Sequence, residues 1–367
     1  MRAAVPEYLG TNFSAIPPGH RFGVLFSGWQ EDWTKPDKSL KGYNKIIEPL
    51  PVPIQKMTEG LCSRQQNLAD EQTLSVAAKS IAPFATGLGN EHPTENGFAF
   101  LNPYGIPYLP GSGVKGVMRS AACELLEGVD GEHSQWSIEV IDQLFGREWS
   151  GDENPGSSGA LIFWDVIPKM HNHRMEVEIM NPHYGKYYQQ GGTPNDCTNP
   201  KPIFFLTVPS ESEFHFHVQC RNGRLQEDLQ IDWQQLIREL FTYAFDWVGF
   251  GTKTSVGYGA MIHDESAEER IKNEKKEREL STLSKDEKLL HELKDMLLRA
   301  QKNGNEEPGG PLSAKLSVLL NMADDWPQQS KSSLADLAEN IYELVGWGPK
   351  KKKPLKVTRI KQLRDEL

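Results

Sequence analysis

The chain contains 367 residues, of which 38% are hydrophobic and 25% are charged, and its formal net charge is −10. This length predicts about two or three domains with a sizeable core, and the lack of a long uninterrupted apolar run argues against a membrane-spanning helix. The acidic balance excludes a broadly basic surface for nucleic acid, so any phosphate-binding cations must form a small patch. The four cysteines form no C-x-x-C pair, which predicts reduced thiols in a cytoplasmic protein and neither a disulfide framework nor a zinc site.

The first half of the chain predicts a mixture of strands and helices. Residues 1–71 are rich in Pro, Gly and Trp without a sustained period, which predicts an irregular N-terminal segment that packs Trp29 and Trp33 onto the body. A strand in "QTLSVAAKSIAP" is followed by a short hairpin turned at "NPYG", a helix over 112–126 and a second helix in "SQWSIEVIDQLFG". A further strand is predicted in "SGALIFWDVIP", where Asp165 would cap or orient a turn.

The second half repeats this pattern. Strands are predicted in "RMEVEIM", "KPIFFLTV" and "EFHFHVQC", and the alternation of the last one favours a solvated face. A helix from Asp232 to Gly249 follows, with a predicted apolar side formed by Leu236, Leu240, Tyr243, Ala244 and Trp247. The predicted fold is α+β, a tandem of ferredoxin-like units over 72–168 and 169–264 with a C-terminal helical appendage over 265–367.

The appendage differs from the body in charge. It carries 20 of the 40 basic and 19 of the 50 acidic side chains, which leaves a charge of −11 on residues 1–264. Its first helix interleaves opposite charges, as a solvated helix does. We therefore expect the appendage to contact protein and not RNA.

The stretch "LPGSGVKGVMRSAACELL" places glycines and a serine before an amphipathic helix. Ser112 is the predicted N-cap, Gly111 and Gly113 would let a ligand approach the backbone, and Lys115 and Arg119 share one face. Free N–H groups beside two cations would suit a phosphate. The alternative is a glycine turn followed by two solvated cations. A nucleotide-binding phosphate loop is excluded, because no Ser or Thr follows a Gly-Lys pair.

Four stretches together resemble one family. "GLGNEHPTENGFAF", "YGIPYLPGSGVKGVMRSA", "MNPHYGKYY" and "GFGTKTSVGYGAM" are similar to the RAMP superfamily of CRISPR-associated proteins, and within it to the sixth-subunit family of the type III-B (Cmr) effector complex. The resemblance covers roughly half of the chain, from Thr73 to Met261. It implies RNA-recognition-like folds and a non-catalytic subunit that holds guide RNA near its 3′ end and the guide–target duplex. The implied partners are guide RNA, target RNA and other RAMP subunits, with no membrane, metal or cofactor.

The resemblance also implies which residues contact RNA. It favours the phosphate-binding interpretation of the first motif, and it assigns a second RNA-contacting loop in "GFGTKTSVGYG". Four glycines would let this loop lie close to the RNA backbone: Gly249, Gly251, Gly257 and Gly259. Lys253 would supply charge, and Thr252, Thr254 and Ser255 would supply neutral hydrogen-bond donors. An aromatic cluster in "NPHYGKYY" could stack on bases or pack against protein: His183, Tyr184, Tyr187 and Tyr188.

The rival hypothesis is a RAMP-type endoribonuclease that processes guide precursor RNA. In the RNA-cutting backbone subunits of the family an aspartate stands between the first strand and first helix, and this region has none here. His92, with Glu91 and Glu95 nearby, could supply acid–base chemistry or form a polar loop. Two His-x-His pairs, His171 with His173 and His215 with His217, are weak metal candidates without further matching ligands. A third possibility is a protein–protein adaptor.

Overall fold

The computed structural model describes most of the chain, namely residues 3–10, 12–30, 32–33, 40–127, 135–147, 149, 156–181, 187, 191, 193, 202–221, 223, 225, 233–303, 309–345 and 354–364. The chain divides into two compact units, Met1–Ile271 and Lys272–Leu367. Over the described residues, no helix has both the length and the apolar character needed to cross a bilayer.

The described strands are β1 Thr73–Ser80, β2 Phe100–Leu101, β3 Ile106–Pro107, β4 Leu161–Phe163, β5 Glu176–Met180, β6 Ile203–Thr207, β7 Glu213–Cys220 and β8 Met261–His263. The helices of the first unit are α1 Pro18–Phe22, α2 Leu40–Tyr43, α3 Val52–Leu68, α4 Gly111–Glu127, α5 Ile138–Phe145 and α6 Trp233–Tyr243. Helix α7, Glu265–Thr282, begins in the first unit, and the second unit continues with α8 Lys285–Asn303, α9 Pro311–Met322, α10 Gln328–Leu344 and α11 Pro354–Leu363.

One four-stranded antiparallel sheet organises the first unit, in the strand order β4-β7-β1-β8. Strand β1 pairs along its length with β7, from Thr73 opposite Gln219 to Lys79 opposite Glu213. With α4 and α6 the order along the chain is βαββαβ, which is one ferredoxin-like unit. The α+β class is confirmed. The predicted tandem is corrected to a single unit in the described residues, because β1 and β4 of the first predicted unit share a sheet with β7 and β8 of the second.

The remaining strands form two hairpins. β2 pairs with β3 through the predicted turn at "NPYG", and β5 pairs with β6. The β5–β6 hairpin supplied the strands that the sequence assigned to a second unit, and this explains the error. A pair of strands that alternate in polarity looks the same in sequence whether it joins a large sheet or stands apart.

The core of this unit lies between the sheet and the two helices. Alternate residues of β1 and β7, such as Val76 and Phe216, point into it and are almost fully buried. Helix α4 contributes Val114 and Met118, at 1% and 0% exposure, as its predicted apolar face requires. The periodicity of this helix therefore identified its buried side correctly.

The opposite face of the sheet is polar but buried, so the predicted solvated face of β7 is wrong. The Nδ1 of His217 forms a 2.9 Å hydrogen bond with the hydroxyl of Ser75, and the His217 ring lies against Trp164. The start of α7 also reaches this face, where the carboxylate of Glu268 accepts from the backbone N–H of Ala77 at 3.0 Å. Ser75 and His217 satisfy each other here, whereas the Nε2 of the buried His215 has only the carboxylate of Glu213 near it, at 3.6 Å.

Two carboxylates anchor the start of α7. Glu268 also binds the guanidinium of Arg238 at 3.0 Å and the Nε2 of His263 at 2.7 Å. The carboxylate of Glu213, the first residue of β7, lies 2.8 Å from the guanidinium of Arg270.

The cations around Glu213 also change its acidity. The pKa of the Glu213 carboxyl falls to about 2, mainly through the neighbouring His215, with Lys169 and Arg270 adding to the effect and burial opposing it. The first turns of α7 are thereby tied to the sheet by charge.

Two regions differ from their predictions near the ends of the ferredoxin-like unit. The N-terminal segment, predicted to be irregular, contains the 17-residue helix α3, which begins after Pro51. Only Cys62 and Gln66 of this helix are buried, so it shows little hydrophobic periodicity. Trp29 packs on the core as predicted, whereas Trp33 is 45% exposed.

Trp247 was predicted on the apolar side of its helix, but it faces solvent and not the core. After α6 the chain makes a wider π-helical turn over Ala244–Val248, in which the N–H of Gly249 donates to the carbonyl of Ala244 at 2.8 Å. The extra residue in this turn shifts the helical phase, so Ala244 and Phe245 stay buried while Trp247 is 78% exposed.

The second unit has a hydrophobic core of its own. It is helical, as predicted, although the charged stretch at its start, predicted as one helix, forms the two helices α7 and α8. Leucines and small residues from α8, α9 and α10, with Ile360 and Leu363 of α11, form one buried cluster. Helix α8 starts with a capping box, in which Ser284 and Glu287 bond each other's backbone N–H groups.

Candidate nucleic-acid interface

The N-terminus of α4 is capped from a distant part of the chain. The carboxylate of Asp165, just beyond β4, accepts a hydrogen bond from the backbone N–H of Gly111 at 2.7 Å. The backbone carbonyl of Asp165 is held in turn by the side-chain amide of Gln65 at 2.7 Å. The helix therefore begins at Gly111, and the capping role predicted for Ser112 belongs to Asp165. A carboxylate in this position also interacts favourably with the positive end of the helix dipole.

Gly111 allows a close approach between protein segments and not to a ligand. It is buried, and a side chain there would collide with the backbone carbonyl of Phe163 at the end of β4. The N–H groups of Gly113 and Val114 both donate to the carbonyl of Pro110. Among the described contacts of this first turn, the N–H of Ser112 is the one without an acceptor.

The two predicted cations of α4 have different surroundings. Lys115 is half-exposed, beside the exposed backbone of Gly116, and forms no ion pair with any residue in the described part of the chain. Arg119 is also half-exposed, but it already has an interaction partner within the protein. The phosphate site predicted here therefore reduces to Ser112 and Lys115.

The second glycine-rich stretch is a loop clamped to the segment that follows β1. The N–H and hydroxyl of Thr252 both donate to the carbonyl of Ala85, at 2.8 and 3.1 Å, and the N–H of Gly259 donates to the carbonyl of Pro83 at 2.9 Å. Gly251 has a φ of 95°, and a side chain there would collide with the Ala85 carbonyl. These contacts hold both ends of the loop against residues 83–85.

The middle of this loop presents a row of backbone donors. Lys253 is left-handed, with φ 62° and ψ 30°, and Thr254–Val256 forms a short 3-10 turn. Considering only the described residues, the N–H groups of Lys253, Thr254 and Ser255 have no hydrogen-bond acceptor. Successive N–H groups across a change from left-handed to right-handed backbone form an anion-binding concavity. The loop can therefore receive a phosphate through its backbone.

The ammonium of Lys253 contacts the β5–β6 hairpin. Its ammonium lies 2.9 Å from the sulfur of Met180 and 5.7 Å from the ring centroid of Phe205, both on the β5–β6 hairpin. A lysine over an aromatic ring is held by a cation–π contact. The hydroxyl of Ser255 is exposed and Thr254 is half-buried beside Gly249.

The aromatic cluster predicted to stack on bases lies mostly outside the described residues. His183, Tyr184 and Tyr188 lie outside the described residues, whereas Tyr187 is described and is 45% exposed. Its role stays a prediction.

His92 has a structural environment. Its ring stacks on Phe22 at 3.7 Å between centroids, its Nδ1 lies 2.7 Å from the hydroxyl of Thr94, and its Nε2 lies 2.8 Å from the carbonyl of Phe22. Burial lowers the pKa of the His92 imidazole, although the bond to the Phe22 carbonyl raises it. Both ring nitrogens are thus engaged within the protein, while Glu91 and Glu95 are exposed.

The His-x-His pairs do not assemble further ligands. His215 and His217 share one face of β7, as predicted, and His171 and His173 lie in a short turn before β5. No cluster of three or more metal-ligating side chains occurs in the portion of the chain that the structure describes.

The chain is similar to known proteins over about half of its length. The sequence model of the RAMP superfamily matches residues 78–262. The CRISPR system Cmr subunit Cmr6 of Pyrococcus furiosus is 30% identical, with 50% of this chain and 66% of that protein covered. The corresponding subunit of Saccharolobus solfataricus is 25% identical, with 45% and 47% covered. The chain thus spans less than two thirds of the length of either relative.

Two solved structures share a limited similarity with this chain. A cryo-EM structure of the type III-B Cmr-beta complex bound to cognate target RNA contains a chain that is 19% identical, with a TM-score of 0.44 and coverage of 61% of this chain and 70% of that one. The crystal structure of Cmr6 from Pyrococcus furiosus is 28% identical, with a TM-score of 0.32 and coverage of 52% and 97%. The family match extends from within β1 to within β8 and includes both glycine-rich motifs, so this chain is a Cmr6-like member of the RAMP superfamily.

Proposed function

We propose that this chain is a non-catalytic RNA-binding subunit of a type III-B CRISPR interference complex. In this role it holds the guide RNA near its 3′ end, and the guide–target duplex, through backbone contacts, beside other RAMP subunits. The identity of 30% with the Pyrococcus furiosus Cmr6 subunit supports membership of such an assembly.

The observation that carries the RNA-binding part is the row of three N–H groups at Lys253, Thr254 and Ser255. In an RNA-guided complex, base pairing reads the sequence, so the protein needs only to hold phosphates and shape. Backbone donors on a fixed loop suit this task, because they bind phosphate without regard to base identity. They also explain how a body with a charge of −11 over residues 1–264 can contact RNA, since they need few cations.

The environment of His92 supports the non-catalytic part of the proposal. A general base must reach the proton that it removes, and both nitrogens of this ring are engaged by Thr94 and Phe22. The endoribonuclease hypothesis rested on this histidine and the exposed carboxylates beside it. The two hydrogen bonds of this ring count against that hypothesis.

Co-purification tests the proposal. The tagged full chain, expressed in cells that contain the other type III-B components, should bring down small RNA and partner RAMP subunits. Recovery of the chain alone, without RNA or partners, would contradict the proposal.

A matched pair of variants makes the test specific to the loop. Ser255→Asp places a carboxylate beside the row of donors and should reduce the RNA that is recovered, because it repels phosphate. Ser255→Asn keeps the size without the charge and should retain RNA. Both should retain the partner subunits, since the Ser255 side chain is exposed. Equal RNA recovery with both variants would mean that no phosphate lies at this loop.

A further inference from the structure

Trp247 is an unusually exposed large side chain. It is 78% exposed, more than any other tryptophan among the described residues. The π-helical turn over Ala244–Val248 causes this exposure, since it keeps Ala244 and Phe245 buried and turns Asp246 and Trp247 to solvent. Such turns occur frequently at functional sites, because they cost stability and re-aim one side chain.

The turn lies directly beside the row of backbone donors. Gly249 ends the turn, and a Cβ added there would lie 3.2 Å from the methyl group of Thr254, in the middle of the row. Val256, the residue after the row, is 71% exposed. Trp247 is thus two residues along the chain from a glycine that packs against the side chain of Thr254, the middle residue of the row.

The size and chemistry of this surface favour a nucleobase over a protein partner. A stable protein interface needs a contiguous apolar patch of several hundred Å², and one exposed tryptophan with one valine provides much less. Proteins that bind single-stranded nucleic acid combine phosphate contacts with an aromatic ring on which a base stacks. A row of backbone donors and an exposed indole on the turn that packs against it match that combination.

We propose that Trp247 is a stacking platform for one nucleobase of an RNA strand whose phosphate binds at Lys253–Ser255. This inference rests on the proposed RNA-binding function and adds to it a site for a base. No base edge is read in this arrangement, so any unpaired base can occupy it, and purines, with the larger ring face, bind more tightly than pyrimidines.

The test measures binding of the full-length chain to fluorescently labelled oligoadenosine and oligouridine over a range of salt concentrations. Trp247→Ala should weaken binding to oligoadenosine about tenfold, the effect expected for one lost stack. Trp247→Phe keeps an aromatic face and should stay within about threefold of the wild type. The control is Trp149→Ala, since Trp149 is 71% exposed but lies between α5 and β4. It should bind like the wild type.

Two further measurements separate stacking from other roles. Trp247→Ala should leave the slope of log affinity against log salt unchanged, because a stack releases no counterion. It should also leave the melting temperature close to that of the wild type, because the indole is largely solvated. A salt slope lowered by about 0.7, as for a lost phosphate contact, would overturn the stacking role.

The outcomes distinguish this inference from the function on which it depends. If the wild type binds neither oligonucleotide, both the proposed function and the stacking site are wrong. If the wild type binds and Trp247→Ala binds equally well, only the stacking site is wrong. If Trp247→Ala binds RNA normally but loses a partner subunit from the purified assembly, Trp247 contacts protein and the inference is overturned.

Discussion

The carboxylate of Asp165 lies 2.7 Å from the backbone nitrogen of Gly111, so a residue 54 positions away caps the helix that carries the first glycine-rich motif. This contact takes one helix N–H that a phosphate would otherwise use, and it places a negative charge at the N-terminus of the helix that carries Lys115. The same carboxylate therefore stabilises α4 and limits how strongly an anion binds there.

Asp165→Asn should separate these two effects. The amide oxygen can still cap the helix, so the free energy of unfolding should fall by less than about 1 kcal/mol. RNA affinity at low salt should rise by about threefold, because a like charge near the phosphate is removed. Chemical denaturation and RNA titration of the same preparation measure both quantities. Weaker RNA binding by this variant would show that no phosphate lies at the start of α4.

Lys115→Ala tests the phosphate contact of α4 directly. The ammonium has no ion-pair partner in the described residues, and the buried face of α4 lies elsewhere, so the melting temperature should hardly change. The salt slope of RNA binding should fall by about 0.7, the value for one phosphate of a single strand. Lys56→Ala is the matched control, since Lys56 is an exposed lysine on α3. An unchanged slope together with a lower melting temperature would make Lys115 a structural residue.

Some features of this site follow from local sequence alone. The apolar residues of α4 recur at helical spacing, so Val114 and Met118 were placed correctly in the core. The hairpin at "NPYG" was also predicted, because turn chemistry is local. These features depend on residues a few positions apart.

Other features depend on contacts between distant residues. The capping of Gly111 by Asp165 crosses 54 positions, and the pairing of β1 with β7 crosses more than a hundred, so neither has a local signal. This is why a single ferredoxin-like unit was taken for two. Trp247 fitted a regular helical pattern, and only the extra residue of the π-helical turn moves it into solvent.

Glu213 predicts a specific dependence of stability on pH. The folded-state pKa of its carboxyl is about 2, below the ordinary value of 4.5, so the ionised group stabilises the fold above about pH 4.5. That contribution is lost as the pH falls from about 4.5 to 2. Glu213→Gln should therefore have a lower melting temperature than the wild type at pH 7. The difference in melting temperature should shrink as the pH falls through this range.

The exposed Glu91 provides a control for this measurement. Glu91→Gln should have the same melting temperature as the wild type at each pH, because Glu91 makes no ion pair in the described residues. A difference between Glu213→Gln and the wild type that stays constant between pH 7 and 2 would exclude the carboxylate charge as its cause.

Two truncations test the role of the C-terminal unit. A chain that ends at Ile271 keeps Glu268 and Arg270 on the sheet, and it should retain both RNA and partner subunits. A chain that ends at Asp264 leaves the Ala77 N–H and the Arg238 guanidinium without their carboxylate. It should lose about 1–3 kcal/mol of unfolding free energy, the cost of unpaired groups. Loss of guide RNA from the first truncation, with all partner subunits still present, would mean that the C-terminal unit contacts RNA.

The central claim is that the two glycine-rich motifs contact RNA, and ultraviolet crosslinking of the purified assembly tests it most directly. After nuclease digestion, mass spectrometry should find nucleotide adducts on peptides that contain residues 247–256 and 111–119. Recovery of the intact complex and its guide RNA with no adduct on either peptide would contradict the claim, and would make this chain an adaptor between protein subunits.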